Sequence, residues 1–302
     1  MFLSYVRSVL KPVRAAGKHQ SRIAKGTACG ERILEILRIE PEEVDLPGAR
    51  PAPAFAGEIG LRNLRFSYDG RDAALDGLDL TIAAGERVAV VGRNGAGKTT
   101  LIHLLLRFYE PSSGSICVDG VDVREYTLTS LRHQIAIALQ DTHLLGASVR
   151  DNLLFSVPDA TEGEMLAALE AVGADFVVSL PDGLDTALAE GGADLSGGER
   201  RKLSLAGTLL RRTPVLILDE PTTHIDSGSR DDILAGLPEL TAGRTTLIIT
   251  HDEQMLNWVD RVVFIEDGRV AGEGSHGGLW EGIPAYRSLF PAAAPDRASR
   301  AS

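Results

Sequence analysis

The stretch Gly92-Arg93-Asn94-Gly95-Ala96-Gly97-Lys98-Thr99 follows the pattern of a glycine, four residues, and then glycine, lysine and threonine. Apolar residues at 88–91 predict a buried strand before it, and those at 101, 104, 105 and 108 predict a helix after it. A strand that turns through glycines into a helix leaves unpaired backbone N–H groups that bind anions. We therefore predict a phosphate-binding loop, in which Lys98 reaches the β- and γ-phosphates and the Thr99 hydroxyl coordinates Mg²⁺. The alternative, a glycine-rich surface turn, is disfavoured by the flanking strand and helix.

The composition is typical of a folded globular chain, because 44% of the 302 residues are apolar and 24% are charged. The net charge of −11 argues against broad nucleic-acid binding, which requires a basic face. Cys29 and Cys117 have no metal-binding or redox spacing, which indicates free thiols in a reducing compartment. Uninterrupted apolar runs stay well short of the roughly 18–20 residues that a membrane-spanning helix needs.

Charge and proline content divide the chain into four regions. Residues 1–40 are basic with apolar side chains at helical spacing, which is typical of a helix at a membrane surface or of a helix packed on the chain's own core. Residues 41–57 contain four prolines and are predicted to be a linker. Residues 58–290 carry the strand and helix patterns, and residues 291–302 are predicted to be a disordered tail.

Within 58–290 the patterns predict an antiparallel β layer beside an α/β core. Alternating apolar residues at 64–66 and 78–82 predict strands, while Asp119-Gly120 and Asp267-Gly268 predict the turns of two hairpins. Helical spacing covers 161–178 and 199–210. The apolar runs 215–218 and 247–249 have the character of buried parallel strands.

Two carboxylates, Asp219 and Glu220, follow the run at 215–218. The carboxyl ends of parallel strands face the crevice in which such sheets bind ligands. We predict that Asp219 holds Mg²⁺, directly or through water, and that Glu220 orients and deprotonates a water that attacks the γ-phosphate. An ordinary acidic turn before Pro221 is the alternative, which the phosphate loop upstream makes the weaker one.

A second candidate anion site is Ser196-Gly197-Gly198-Glu199, at the start of another predicted helix. Ser196 is a favourable N-cap residue, and the glycines allow a phosphate to approach backbone N–H groups. A simple capped helix start fits these residues equally well. Because a phosphate loop needs no second anion site in its own pocket, a real site here is predicted to serve the nucleotide of another copy.

Together and in this order, the motifs resemble the nucleotide-binding domain of ATP-binding cassette (ABC) transporters of the exporter type, over about residues 58–290. The resemblance implies an α/β fold: a P-loop NTPase core with a mostly parallel central sheet, an antiparallel β subdomain, and an α-helical subdomain at about 141–210 that carries the signature motif at 196–199. It implies a homo- or heterodimer with a second nucleotide-binding domain, in which the signature motif of one domain closes on ATP held by the other. It also implies a place on the cytoplasmic side of the cell membrane, held there through a transmembrane domain or partner.

The resemblance assigns roles to residues that the patterns alone do not. Tyr68 matches the aromatic that stacks on adenine, Gln140 the glutamine that senses Mg²⁺ and the attacking water, Asp226 the aspartate of a loop that communicates across the dimer, and His251 the switch histidine that contacts the γ-phosphate. The implied catalytic residues are Glu220, His251 and Gln140, and the implied Mg²⁺ ligands are Thr99, Gln140 and Asp219. The implied ATP-binding residues are Tyr68, Gly92, Arg93, Asn94, Gly95, Ala96, Gly97, Lys98, Thr99, Thr100, Ser196, Gly197 and Gly198.

Three positions depart from the usual exporter pattern. Glu199 stands where exporters usually have glutamine, Gly207 replaces an arginine in the helix, and Thr223-His224-Ile225-Asp226 replaces the usual Ser-Ala-Leu-Asp. A carboxylate beside a γ-phosphate repels it, unless Glu199 points at Arg200, at Arg201 or at solvent. A glycine inside a helix costs about 1 kcal/mol relative to alanine.

These observations predict an ATPase domain that powers export: closure of two such domains on ATP pulls membrane helices together, and hydrolysis releases them. The N-terminal segment resembles the cytosolic end of an exporter's last membrane helix with its linker. One alternative is a soluble ABC ATPase unconnected with transport, which that segment and the single cassette disfavour. The other is an ATP-gated interaction module without turnover, which the intact Glu220 and His251 disfavour.

Overall fold

The structure is a computed structural model, and it describes residues 20, 22–38, 45–68, 72–140, 144–223 and 225–290. The chain divides into two compact units, Met1–Asp45 and Leu46–Ser302. The described part of the first unit is a helix, α1, at 22–37, on which Ile23, Ile33 and Leu37 are exposed. Much of the basic segment predicted at 1–40 and the whole tail predicted at 291–302 lie outside the described residues. Within the described ranges, no helix is both long enough and apolar enough to cross a membrane.

Two β-sheets organise the second unit. The first has the strand order β2-β1-β4-β5 and contains β1 (Ile59–Ser67), β2 (Ala73–Ile82), β4 (Ser113–Val118) and β5 (Val121–Asp122). The second has the order β10-β9-β3-β8-β7-β6 and contains β3 (Arg87–Val91), β6 (Ile135–Ala138), β7 (Val215–Asp219), β8 (Thr245–Ile249), β9 (Arg261–Glu266) and β10 (Arg269–Gly274). The first sheet is antiparallel, and in the second all pairs except β9–β10 are parallel. This confirms the predicted parallel core and antiparallel layer.

Helices surround the parallel sheet. They are α2 (Lys98–Leu105), α3 (Leu128–His133), α4 (Val149–Ser156), α5 (Glu162–Ala171), α6 (Gly197–Leu210), α7 (Ser227–Thr241), α8 (Glu253–Leu256), α9 (His276–Gly282) and α10 (Pro284–Arg287). Short 3₁₀ helices lie at Val123–Glu125, Asp175–Ser179, Gly183–Asp185 and Glu190–Gly192. Capping boxes, in which a hydroxyl and a carboxylate exchange bonds with backbone N–H groups, start α4, α5 and α6.

The side chains of the parallel strands alternate between two cores. In β7, Val215 and Ile217 pack in the cluster that includes β1, β2 and α2, whereas Leu216 and Leu218 pack in the cluster that includes α4, α5 and α6. All five residues of β7 are buried, as expected for a strand covered on both faces. The carboxyl end of β7 is therefore held firmly between the two layers.

The hairpin turns are confirmed and one helix is shorter than predicted. Asp119-Gly120 and Asp267-Gly268 both have positive φ at their two residues, and each joins an antiparallel pair. The helix predicted at 161–178 ends at Ala171, so its last third was predicted wrongly. The cause is Gly173, whose φ of 63° reverses the chain before the 3₁₀ helix at Asp175–Ser179.

Residues 46–57 of the predicted linker belong to the second unit, and their backbone is hydrogen-bonded within it. The Phe55 N–H donates to the Gln134 side chain at 2.7 Å, and the N–H groups of Gly57 and Glu58 donate to the Asp119 carboxylate at 2.9 Å each. Phe55 itself is buried in the core. The segment from Leu46 onward therefore lies in the same compact unit as the region predicted at 58–290.

Candidate active site at the carboxyl edge of the parallel sheet

The phosphate loop joins β3 to α2, as predicted, and its glycines fill places where a side chain does not fit. A Cβ on Gly92 would lie 2.3 Å from the Ile265 carbonyl oxygen, and one on Gly97 would lie 2.5 Å from the Ala74 carbonyl oxygen. Gly97, which precedes the first turn of α2, also has a φ of 101°. The close approach of β2 and β9 on either side explains why the loop requires glycine at these two positions.

Lys98 folds back across the loop. Its ammonium donates to the carbonyl oxygens of Gly92 at 2.7 Å and Arg93 at 3.1 Å, and the residue is only 7% exposed. Burial lowers the pKa of the ammonium, while the carboxylates of Glu220 and Asp219 act in the opposite direction. The predicted cation and the two predicted acids therefore lie within electrostatic reach of each other.

Asp219 is the last residue of β7 and is 5% exposed. Burial and the neighbouring Glu220 raise the pKa of its carboxyl, against the opposing charges of Arg201 and Lys98. A buried carboxylate beside a second acid is poorly compensated by the protein alone, and it fits a dication. Mg²⁺ usually binds one or two carboxylates together with substrate phosphates and waters, so Asp219 with the exposed Thr99 is a suitable protein contribution.

Glu220 follows immediately in an unusual backbone conformation. Its φ is 49°, a left-handed value that is unfavourable for a residue with a side chain. The conformation is held by a hydrogen bond from the Glu220 N–H to the Ile249 carbonyl at 2.9 Å. One carboxylate oxygen then lies 3.1 Å from Nε2 of His251, and the other accepts a hydrogen bond from the Thr223 hydroxyl at 2.7 Å. The glutamate and the switch histidine are thus brought together.

The residue after the switch histidine fixes the turn that carries it. Asp252 accepts hydrogen bonds from the Thr222 hydroxyl at 3.0 Å and from the Arg230 guanidinium at 2.6 Å. Its own N–H donates to the Thr250 hydroxyl at 2.9 Å. The turn that bears His251 is consequently tied both to the segment after Glu220 and to α7.

The signature motif forms a capped helix start. The Glu199 N–H donates to the Ser196 hydroxyl at 3.2 Å, and the Ser196 N–H donates to the Glu199 carboxylate at 2.7 Å. Glu199 thus binds the backbone of its own motif. Between the described parts of the chain, no hydrogen bond or ion pair links residues 196–198 to the phosphate loop. Ser196 and Gly197 are exposed.

The remaining predicted residues lie around this edge. Gln140 follows β6 and is exposed, and its backbone carbonyl accepts a hydrogen bond from Arg201 at 2.9 Å. Tyr68 directly follows β1, and its hydroxyl lies 3.3 Å from both the Thr100 hydroxyl and Nδ1 of His103. This contact puts the tyrosine beside the first turn of α2. Stacking of the Tyr68 ring on adenine stays a prediction.

Sequence reasoning assigned no role to three residues that the structure places in the site. Thr223 bonds the Glu220 carboxylate, Asp252 anchors the histidine turn, and Arg201 donates to the backbone of both acids. Thr223 stands three residues after Glu220, a spacing that favours a turn contact. The other two contacts join segments far apart in sequence, so nothing local points to them. At Gly207, a Cβ would lie 2.9 Å from the Ser156 hydroxyl of α4, which can rotate away, so the structure gives no packing reason for this departure.

A glycine loop between strand and helix, with a buried carboxylate at the end of a neighbouring parallel strand, defines a P-loop nucleoside triphosphatase. Residues 75–223 match the family model described as ABC transporter. The chain is 40% identical over 276 residues to an ATP-dependent lipid A-core flippase of Syntrophus aciditrophicus (strain SB), which covers 91% of this chain and 46% of that protein. It is 38% identical over 285 residues to the ATP-dependent lipid A-core flippase of Escherichia coli (strain K12), with 93% and 49% covered.

Among solved structures, the chain is similar to a bacterial Atm1-family ABC exporter with ATP bound. The TM-score is 0.82 and the identity 34%, over 91% of this chain and 48% of that one. The chain belongs to the ABC transporter family and carries the nucleotide-binding domain of that family. It spans about half the length of the curated relatives that it matches.

Proposed function

We propose that this chain hydrolyses ATP to drive export across a membrane, together with a second nucleotide-binding domain and a transmembrane domain or subunit. The proposed place of work is the cytoplasmic side of the cell membrane. Support comes from the relatives, which are named as flippases and as an exporter. The acidic net charge gives no support to a nucleic-acid partner.

In the proposed reaction, backbone N–H groups of the loop and the Lys98 ammonium hold the phosphates of ATP. Asp219 and Thr99 would hold Mg²⁺, which neutralises phosphate charge when bound, and Gln140 is proposed as a further ligand. Glu220 orients a water and accepts its proton as the water oxygen bonds to the γ-phosphorus. The bond from that phosphorus to the β,γ-bridging oxygen breaks, and ADP leaves. His251 and Thr223 keep the Glu220 carboxylate in place.

The observation that carries this proposal is the position of Glu220, whose carboxylate is held by His251 and Thr223 within electrostatic reach of Lys98. We expect Glu220→Gln to lower the rate of phosphate release by about 100-fold or more and to leave ATP affinity within about threefold. Steady-state phosphate release and equilibrium ATP binding measure the two effects. Glu58→Gln, which changes an exposed glutamate of the same unit, is the control.

Two results would count against the proposal. Unchanged turnover in Glu220→Gln would remove this residue from the chemistry. An unaltered chain that binds ATP and releases no phosphate, at protein concentrations where it dimerises, would favour the interaction module without turnover.

The exposed signature motif supports the proposed sandwich of two copies. Ser196 caps α6 with its hydroxyl, and no described residue of its own phosphate loop bonds to it. We expect Glu220→Gln with ATP and Mg²⁺ to form dimers by light scattering, and the further change Ser196→Arg to abolish them, because an arginine there blocks close approach. Dimers that persist in the double variant would show that the motif lies outside the interface.

A further inference from the structure

Arg201 is a buried cation one turn into α6, the helix that starts at the signature motif, and it is 3% exposed. Its side chain passes between two turns at the carboxyl edge of the sheet. Nε donates to the Pro221 carbonyl at 3.1 Å, Nη1 to Gln140 at 2.9 Å and to Leu139, and Nη2 to Asp219 at 2.8 Å and to Glu220. A guanidinium has five N–H donors in a fixed plane, and here they meet five backbone carbonyls.

The five carbonyls belong to two neighbouring strand ends. Leu139 and Gln140 follow β6, and Asp219, Glu220 and Pro221 end or follow β7, its parallel neighbour in the sheet. The guanidinium therefore fixes the turn that carries Gln140 relative to the turn that carries both acids. Because Arg201 belongs to α6, it also joins both turns to the helix headed by Ser196.

The carbonyls of Asp219 and Glu220 flank the strained residue. They lie in the two peptide groups on either side of the Glu220 Cα, so bonds to both restrict its φ and its ψ. A left-handed glutamate persists only where its surroundings over-determine it. Two backbone hydrogen bonds add to this restraint: the Glu220 N–H donates to Ile249 at 2.9 Å, and the Glu220 carbonyl accepts from the Thr223 N–H at 3.2 Å.

We propose that Arg201 is a positioning residue, which holds Glu220 in its left-handed conformation and couples both strand-end turns to the signature helix of the same copy. The inference rests on the proposed function. Movement of α6 toward the ATP of another copy is then transmitted to the geometry of Glu220 in its own site. A lysine cannot replace the arginine, since three donors on one nitrogen do not span five acceptors in two turns.

The next residue provides a matched control. Lys202 is also buried, at 7% exposure, but it points away and donates to the Gly173 carbonyl at 2.9 Å and to Asp232 at 2.6 Å. These contacts join α6 to α7 and to the end of α5, away from the acids. Loss of the Lys202 ammonium therefore removes a buried cation of α6 and leaves intact the turn that carries Gln140 and the turn that carries the two acids.

The first test compares Arg201→Lys, Arg201→Gln and Lys202→Met in the full chain. We expect both Arg201 variants to lower kcat by about tenfold or more with KM for ATP within about threefold, because misplacement of a catalytic group costs rate and leaves binding intact. We expect Lys202→Met to lower Tm comparably and to keep kcat within about twofold. A kcat for Arg201→Lys within twofold of the unaltered chain would overturn the proposal.

The second test is hydrogen–deuterium exchange without nucleotide, which is independent of activity. The amides of Glu220 and Thr223 are hydrogen-bonded in the structure, to Ile249 and Glu220 respectively. We expect peptides that cover 216–225 to exchange faster in both Arg201 variants, and in Lys202→Met the faster exchange to fall at 170–175 and 229–234. Unchanged exchange at 216–225 would overturn the proposal. If the unaltered chain releases no phosphate, the proposed function fails, and this measurement still decides the positioning role.

Discussion

The two ends of the parallel sheet differ in how their charged side chains are paired. At the amino-terminal end, Arg87 and Asp260 pair at 2.6 Å, and Arg261 pairs with Glu86 at 2.7 Å. At the carboxyl-terminal end, two acids adjoin each other, each 9% exposed or less, and one of them has a left-handed backbone. We call the first the balanced end, and the second the unbalanced end because its two acids adjoin each other while the nearby cations Lys98 and Arg201 donate to backbone carbonyls.

The difference indicates that the two ends have different tasks. A charged side chain that forms an ion pair with a neighbouring residue contributes to stability and requires no ligand to compensate it. Like charges held together in a buried place cost stability, and they persist where a ligand compensates them. The unbalanced end is the end at which the phosphate loop lies and at which His251 contacts Glu220, so substitutions at the two ends are expected to have opposite consequences.

The largest expected effect is the loss of ATP binding at the unbalanced end. Lys98→Ala removes the ammonium that lies on the loop, and we expect ATP affinity to fall about 100-fold, because charge-assisted bonds to phosphate are lost. Isothermal titration calorimetry measures it. Lys202→Ala is the control, since both lysines are 7% exposed and only Lys98 lies in the loop. An equal loss of ATP affinity in both variants would show a general effect of removing a buried lysine.

A smaller effect is expected at the balanced end, in stability alone. Arg261 makes two bonds to Glu86 and a further ion pair to Glu273. We expect Arg261→Met to lower the free energy of unfolding by about 1–3 kcal/mol and to keep kcat within about twofold, because the contacts are partly buried and far from the acids. Urea denaturation and phosphate release measure the two. If Arg261→Met is fully folded under the assay conditions and its kcat still falls, the two ends of the sheet are coupled.

The sequence predicts most of the site residues at the unbalanced end, because these residues belong to short local motifs. The strand, glycine loop and helix around Lys98 are contiguous, and the acids directly follow an apolar run that only a doubly covered strand explains. Parallel packing then brings these motifs to one edge. The proximity of Lys98 to Asp219 follows from topology.

The sequence does not predict contacts between segments that are far apart in the chain and that only the fold brings together. Arg201 reads as an ordinary helix residue, and its five carbonyl partners become visible only when the ends of β6 and β7 are in place. The direction of the Glu199 side chain was left open by the sequence, and in the structure it is set by a capping bond to the Ser196 N–H. The end of α5 was missed because one left-handed glycine, Gly173, outweighed the continuing apolar pattern.

The smallest expected effect is a gain in stability at the unbalanced end. The folded pKa of Asp219 is raised by burial and by Glu220, so ionising it costs the folded state. Asp219→Asn removes that cost, and we expect Tm of the nucleotide-free chain to rise by about 2 °C, with Mg²⁺-dependent turnover lost.

The pH dependence of that gain tests its cause. A carboxyl with a raised folded pKa costs nothing below its unfolded value, and the cost grows as pH rises through the folded value. The gain from Asp219→Asn should therefore be full above the raised pKa and shrink as pH falls through it toward the ordinary value of 3.8. Thermal scans of both chains from neutral to acidic pH measure it. A gain that is independent of pH would mean that packing, and not the buried charge, makes this end of the sheet less stable than the other.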